Sequence, residues 1–160
     1  MVWIKKIIIW FIAKIIGRGL QATVRMDYNA REEIIKWKDG YTIVIDTYKN
    51  GPKICFVKQG NSLLKKKYQD DMKTDIRIIF KYTNIVYEIF TGQIGLDKAY
   101  AQNRMIVKGD IFQTLKIVRM FYICECYLFP KFIWKKIIIE KPKLTSNTFN
   151  IYMATIFGLK

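Results

Sequence analysis

Apolar and polar positions along this chain follow more than one rhythm. In "MVWIKKIIIWFIAKIIGRGLQATVRM", apolar residues cover much of a helical circumference and are broken by Lys5, Lys6, Lys14 and Arg18, which predicts an amphipathic helix over 1–26. From Arg31 the pattern changes. "REEIIKWK" reads as a strand, and Asp39-Gly40 as a tight hairpin turn. "YTIVIDTY" puts Tyr41, Ile43, Ile45 and Thr47 on one face; Asn50-Gly51-Pro52 is the next turn and "KICFVK" a third strand. These three strands form an antiparallel meander. "QGNSLLKKKYQDDMKT" is polar and predicts a solvated loop. "DIRIIFKY" then alternates, with Ile76, Ile78, Phe80 and Tyr82 on one face against Arg77 and Lys81.

Helical spacing follows. "TNIVYEIFTGQ" is a short helix with Thr83 or Asn84 as cap and Gly92 as stop, and "GLDKAYAQN" is another after Gly95. "RMIVK" is a fifth strand, broken by Gly109. Asp110 is placed to cap a further helix, on which Ile111, Leu115, Val118 and Tyr122 recur at helical intervals.

Composition sets the scale. The chain has 160 residues, 51% of them hydrophobic, which suits one domain with one substantial core. The net charge is +15, and its placement is uneven. Residues 1–26 carry five cations and no acid, and residues 131–143 five cations against Glu140, so nine of the fifteen net charges sit in two segments that are also rich in Ile and Trp. Lysine among Ile and Trp fits a membrane interface better than a phosphate-reading stripe. "IKKIIIW" at 4–10 and "WKKIIIE" at 134–140 share this pattern. Trp3, Lys5, Lys6, Trp10, Trp134, Lys135 and Lys136 are therefore the candidate membrane-contact residues. As a span the first helix nets close to zero: its apolar residues contribute about −3 to −6 kcal/mol, Lys14 alone costs about 3, and Arg18 and two glycines cost more. A helix lying on the domain, with a bilayer or a second subunit on its other side, fits better than a crossing one.

Chemistry is sparse. There is no His, which removes the commonest general base and metal ligand. Glu32-Glu33 and Asp70-Asp71 are sequence neighbours, and no nucleophile elbow or phosphate loop occurs. Cys55, Cys124 and Cys126 form no disulfide framework and lack the partners for a zinc site, which points to a reducing compartment. These features predict no catalysis, no metal and no cofactor. The basic charge alone does not predict nucleic-acid binding, because the aromatics fall at core positions.

Across residues 31–122 the sequence resembles the sterol carrier protein 2 (SCP2-like) family. The likeness lies in Asp75 to Ile78 in a D-x-x-I strand, the Gly92-Gln93-Ile94 turn, Ala99 in the next helix, Lys108-Gly109 ending a strand and Asp110 opening an apolar helix. It implies an α/β (α+β) fold with a five-stranded, mainly antiparallel sheet and helices over one face enclosing an apolar cavity. It implies lining from Ile78, Phe80, Phe90 and Val107, and from Ile111, Leu115, Val118 and Tyr122 on the last helix. Residues 1–26 and 127–160 fall outside the family-like core. The function so implied is non-catalytic binding, or transfer, of a sterol, fatty acid or acyl chain. The expected partners are a hydrophobic small molecule, an anionic membrane surface and a second copy of the chain. The expected location is the cytoplasm, peripheral at the inner membrane face. The alternative is an interaction scaffold whose cavity its own side chains fill.

Overall fold

A computed structural model describes residues 2–138 and 140–158; Ile139, within the "WKKIIIE" pattern, lies outside them. The chain runs α1 (Val2–Met26), α2 (Tyr28–Glu32), β1 (Thr42–Asp46), β2 (Lys53–Gln59), β3 (Ser62–Lys66), β4 (Ile76–Phe80), α3 (Thr83–Phe90), α4 (Leu96–Ala101), β5 (Met105–Lys108), α5 (Ile111–Leu128), α6 (Lys131–Ile137) and α7 (Thr148–Phe157). The five strands form one sheet in the order β3-β2-β1-β4-β5. β1 and β4 are parallel and the other pairs antiparallel. The fold is α+β with a mixed, mainly antiparallel sheet.

Pleating explains the core. Ile43 pairs with Phe56 and Ile76, and Ile45 with Ile54 and Ile78, so one face of the sheet is a field of Ile and Phe. α1, α3 and α5 bury their stripes there. On α1 the stripe is Ile9, Ala13, Ile16 and Leu20, each at most 5% exposed. α1 also touches β3, α2 and α7, so it lies at the centre of the packing. It is apolar and long enough to cross a membrane, yet 50% of its most apolar window is buried in the protein. The opposite sheet face carries the Arg77–Asp46 ion pair at 2.6 Å, with Tyr68 packed against the Arg77 and Lys53 side chains.

Two strand expectations need correction. Residues 31–38 are not a strand. Asp27 caps α2 by accepting from Ala30 N at 3.0 Å, and the chain continues in turns bonded from Ile34 N to Arg31 O and from Trp37 N to Ile34 O. Ile34 and Trp37 are the buried residues here, three apart, so the spacing is that of a turn and not a pleat. The fifth strand comes instead from the segment read as loop. Gly60, at φ +57°, closes a two-residue connection that pairs Gln59 with Ser62 and starts β3. β3 is an edge strand with exposed Lys65 and Lys66, and lysine there discourages pairing with another chain. Tyr82, not Thr83 or Asn84, occupies the N-cap position of α3.

Two local devices set the helices. Gly109, at φ +117°, brings its backbone so close to the Asp75 carbonyl that a Cβ would collide with it. Asp110 then caps α5, accepting from Phe112 N at 2.7 Å and Gln113 N at 3.1 Å. At the far end, fully buried Asp27 accepts from Tyr127 Oη at 2.6 Å and Thr145 N at 2.8 Å. Tyr127 Oη accepts in turn from Ser146 N at 2.9 Å. Burial raises the Asp27 pKa, but hydrogen bonds from Tyr127, Thr145 and Ala30 outweigh it and hold the carboxyl below its ordinary range.

Candidate functional site

The space between sheet and helices is almost filled. Ile16, Ile45, Ile78, Phe80, Ile89, Phe90, Leu96, Phe121 and Glu125 surround a void of about 10 Å³, the room of a single water. No acyl chain fits there as the side chains stand.

A larger space lies on the other side of α1. A groove of about 600 Å³ runs between α1, the end of α5 and α7. Ile12, Ile15 and Ile16 wall it from α1, Leu128 and Phe129 from the end of α5, and Tyr152 and Ile156 from α7. Lys14 and Arg18 are its cations. Lys14 Nζ sits 3.6 Å from the Trp10 ring centre, and Arg18 donates to Ile156 O at 3.2 Å across the groove. Ile16 lines both the groove and the inner void. α7 forms the far bank because Asn147 caps it, accepting from Phe149 N at 2.9 Å, and Ile151 anchors it in the core.

The banks continue outward as apolar surface. On α1, Trp3, Ile4, Ile7, Trp10 and Phe11 are each about half exposed or more; on α7, Phe149, Ile156 and Phe157 are at least 60% exposed. A patch of large apolar side chains on two neighbouring helices marks an interaction surface.

The residues singled out from the sequence divide between these places. Ile78, Phe80 and Phe90 come together at the inner void. Val107 is half-buried and does not border it. The α5 stripe is corrected: Ile111 and Leu115 are exposed, Val118 is half-buried, and Tyr122 packs with Cys126, Trp134 and Ile137 away from the sheet. The buried face is Thr114, Ile117, Phe121 and Cys124, one residue out of phase, or about 100° around the helix. α5 is apolar on nearly every side, so periodicity could not choose its face; Gly109 and the Asp110 cap set the rotation.

Of the membrane-contact residues, Trp3 and Trp10 are exposed on α1 and Lys6 is exposed beside them. Lys5 is half-buried and donates to Asn84 Oδ1 at 3.1 Å. Trp134 is corrected: it is 7% exposed, folded with Ile137 and Ile138 onto Cys126, while Lys135 and Lys136 remain exposed.

Sequence reading missed the groove and Glu125. Nothing in the sequence pattern singles out α7, the groove's far bank. Glu125 carried a signal, as a lone acid in the apolar run "FYICECYL". It is 5% exposed, its Oε2 has no hydrogen-bond partner among the described residues, and burial, helped by Asp97, pushes its pKa up to about 8. The thiols of Cys124 and Cys126 are raised by burial to about 12 and about 11, so at neutral pH they are protonated and poor nucleophiles. The inner void is walled by hydrocarbon alone, and the groove adds only Lys14, Arg18, Tyr152 and Thr155 as polar groups to its apolar walls.

No family model matches the chain, and no curated protein matches it. Among solved structures, SCP2 domains align with part of the chain. A sterol carrier protein 2 from Yarrowia lipolytica, in its apo form, aligns at 18% identity over 69% of this chain and 86% of that one, with a TM-score of 0.44. Sterol carrier protein domain 2 of Helicoverpa armigera aligns at 15% identity over 69% and 84%, with a TM-score of 0.46. The ubiquinone synthesis protein UbiJ-SCP2 aligns at 14% identity over 60% and 77%, with a TM-score of 0.43. Likeness this loose leaves the ligand to be argued from geometry.

Proposed function

We propose that this chain is a non-catalytic lipid-binding domain that takes the hydrocarbon of an amphiphile into the groove between α1, α5 and α7 and exchanges it at an anionic membrane surface. The observation that carries the reading is the groove itself. About 600 Å³ walled by Ile, Leu, Phe and Tyr side chains is in the size range of small-ligand sites, and it opens between two exposed apolar faces. Trp3, Ile7 and Trp10 suit the headgroup and acyl boundary, and Lys6, Lys14 and Arg18 suit the lipid phosphates. Each such cation contributes about 1 kcal/mol at an anionic surface, screened by salt.

The test uses Ile156→Trp. Ile156 is 60% exposed on the groove bank, so a larger side chain narrows the groove without overpacking the core. Uptake of a fluorescent fatty acid should fall while the melting temperature stays unchanged, and wild type should sediment with anionic vesicles in a salt-sensitive way. Undiminished uptake by the variant would refute the groove as the site.

A second reading is favoured by the near-filled interior. The same apolar faces of α1 and α7 suit a second copy of the chain, making a self-associating scaffold. That reading expects concentration-dependent dimers, disrupted by Trp3→Glu with Trp10→Glu, and no lipid in the purified protein by native mass spectrometry.

A further inference from the structure

Three cations gather on one stretch of α1 beside the groove, and none of them is in an ion pair among the described residues. Lys14 and Arg18 stand four apart on the helix, hence on one side of it, and both line the groove. Lys65 reaches the same stretch from β3. Its Nζ occupies the space that Gly17 leaves open, 3.0 Å from where a Cβ on that residue would be. α1 carries no acid to offset them. Loss of water against α1, and then repulsion from Arg18 and Lys14, hold the Lys65 ammonium below its usual pKa. The other two are oriented without being used up. Arg18 gives one N–H to Ile156 O at 3.2 Å and keeps its other donors, and Lys14 Nζ rests 3.6 Å from the Trp10 ring centre.

We propose that Lys14, Arg18 and Lys65 hold the phosphate of a single-chain lipid phosphomonoester whose hydrocarbon lies in the groove. This rests on the lipid-binding reading and narrows its ligand to one headgroup and one chain. The headgroup follows from charge. A phosphomonoester carries about −1.5 to −2 at pH 7 and offers three acceptor oxygens, so each cation can give it a charge-assisted hydrogen bond. A fatty-acid carboxylate has one charge and two oxygens, and a sterol hydroxyl has no charge. All three cations are exposed, so the phosphate stays in water and no charge has to be buried. The chain number follows from volume. A methylene fills about the space of a water, roughly 30 Å³, so the groove of about 600 Å³ holds about twenty carbons. That is one chain, and not the two of a bilayer phospholipid.

The test is titration calorimetry of the full chain with dodecyl phosphate, dodecanoate and inorganic phosphate, the amphiphiles kept below micelle formation, at about pH 8, where the phosphomonoester is a dianion. Wild type should bind dodecyl phosphate about tenfold or more tighter than dodecanoate, the worth of one added charge-assisted hydrogen bond, and inorganic phosphate more weakly than either. Lys65→Gln, an exposed change on an edge strand, should lose that preference while still binding dodecanoate. Equal binding of the two amphiphiles by wild type, or a preference that Lys65→Gln keeps, overturns the phosphate site and leaves the lipid-binding reading standing. Inorganic phosphate bound as tightly as dodecyl phosphate overturns the lipid as its source. Failure of wild type to bind either amphiphile overturns both readings. Phosphorus NMR of dodecyl phosphate on wild type gives a readout independent of variant folding. Three cations favour the dianion, so the second ionisation of the bound phosphate should move to lower pH than that of the free lipid; an unshifted ionisation overturns the site.

Discussion

Replacing Glu125 by Leu should stabilise the unliganded protein, and by an amount that depends on pH. The unfolded chain ionises this carboxyl in the ordinary Glu range near 4.5, whereas in the folded protein burial, with Asp97 adding to it, raises the pKa to about 8. Between those values the folded state holds one proton more than the unfolded state, so stability falls as pH rises. At 1.36 kcal/mol per pH unit the full interval is worth about 5 kcal/mol, an upper figure against a typical total of about 5–15. Asp97, Tyr122, Cys124 and Cys126 are the titratable groups around it, and the tyrosine and both thiols stay neutral below pH 8.5. Urea unfolding of wild type and Glu125→Leu from pH 4.5 to 8.5 measures the effect. Subtracting the two profiles removes contributions they share, such as that of Asp27. The variant should gain steadily as pH rises, reaching about 2–5 kcal/mol near pH 8 with an unchanged m-value. Parallel profiles would mean the carboxyl reaches water in the folded state. A less stable variant at pH 8 would mean it has a strong partner.

Other perturbations test the frame around the site. Gly109→Ala forces a side chain into φ +117° and against the Asp75 carbonyl; it should cost about 3 kcal/mol and lower the melting temperature by about 6–12 °C in a thermal scan. Asp27→Asn breaks the bonds from Tyr127 and Thr145 and should cost about 3 kcal/mol at pH 7. Because the folded Asp27 pKa is depressed, that contribution is present above the ordinary carboxylate range and is lost as pH falls below about 4, so the variant should lack part of the wild-type acid transition. Deleting residues 2–20 removes Ile9, Ala13, Ile16 and Leu20 from the core. At about 2–5 kcal/mol for each large side chain, the truncated chain should fail to fold by circular dichroism, and a folded, soluble product would refute the central place given to α1.

Much of the fold was legible from residues 75 to 110. There the strand alternation, the Gly92 and Gly109 breaks and the Asp110 cap are local signals with one physical meaning each. Legibility failed where local signals competed. Asp27 started α2 inside a segment whose Ile and Trp content resembled a strand. The lysines of β3 hid a Gly-Asn connection, because an edge strand and a loop both tolerate charge. The site was less legible than the fold. Strand and helix period put Ile78, Phe80 and Phe90 on inward faces, and only the family resemblance made them cavity lining; the groove depends on α7 meeting α1, and no local rule encodes a contact between the two ends of a chain.

That long-range contact also bears on how the protein is made. Arg18 and Ile156, which meet across the groove, are 138 residues apart. At about 5–20 residues per second, α1 leaves the ribosome roughly 7–28 s before α7 is available to cover it. For that interval both of its apolar faces lack their final partners, and the strands it will sit on are only partly built. On the proposed membrane-docking reading, the Trp, Ile and Lys side chains of this helix are open to a bilayer at that stage as much as later. The order of synthesis therefore places a chaperone or a bilayer in competition with the protein's own core for the same helix.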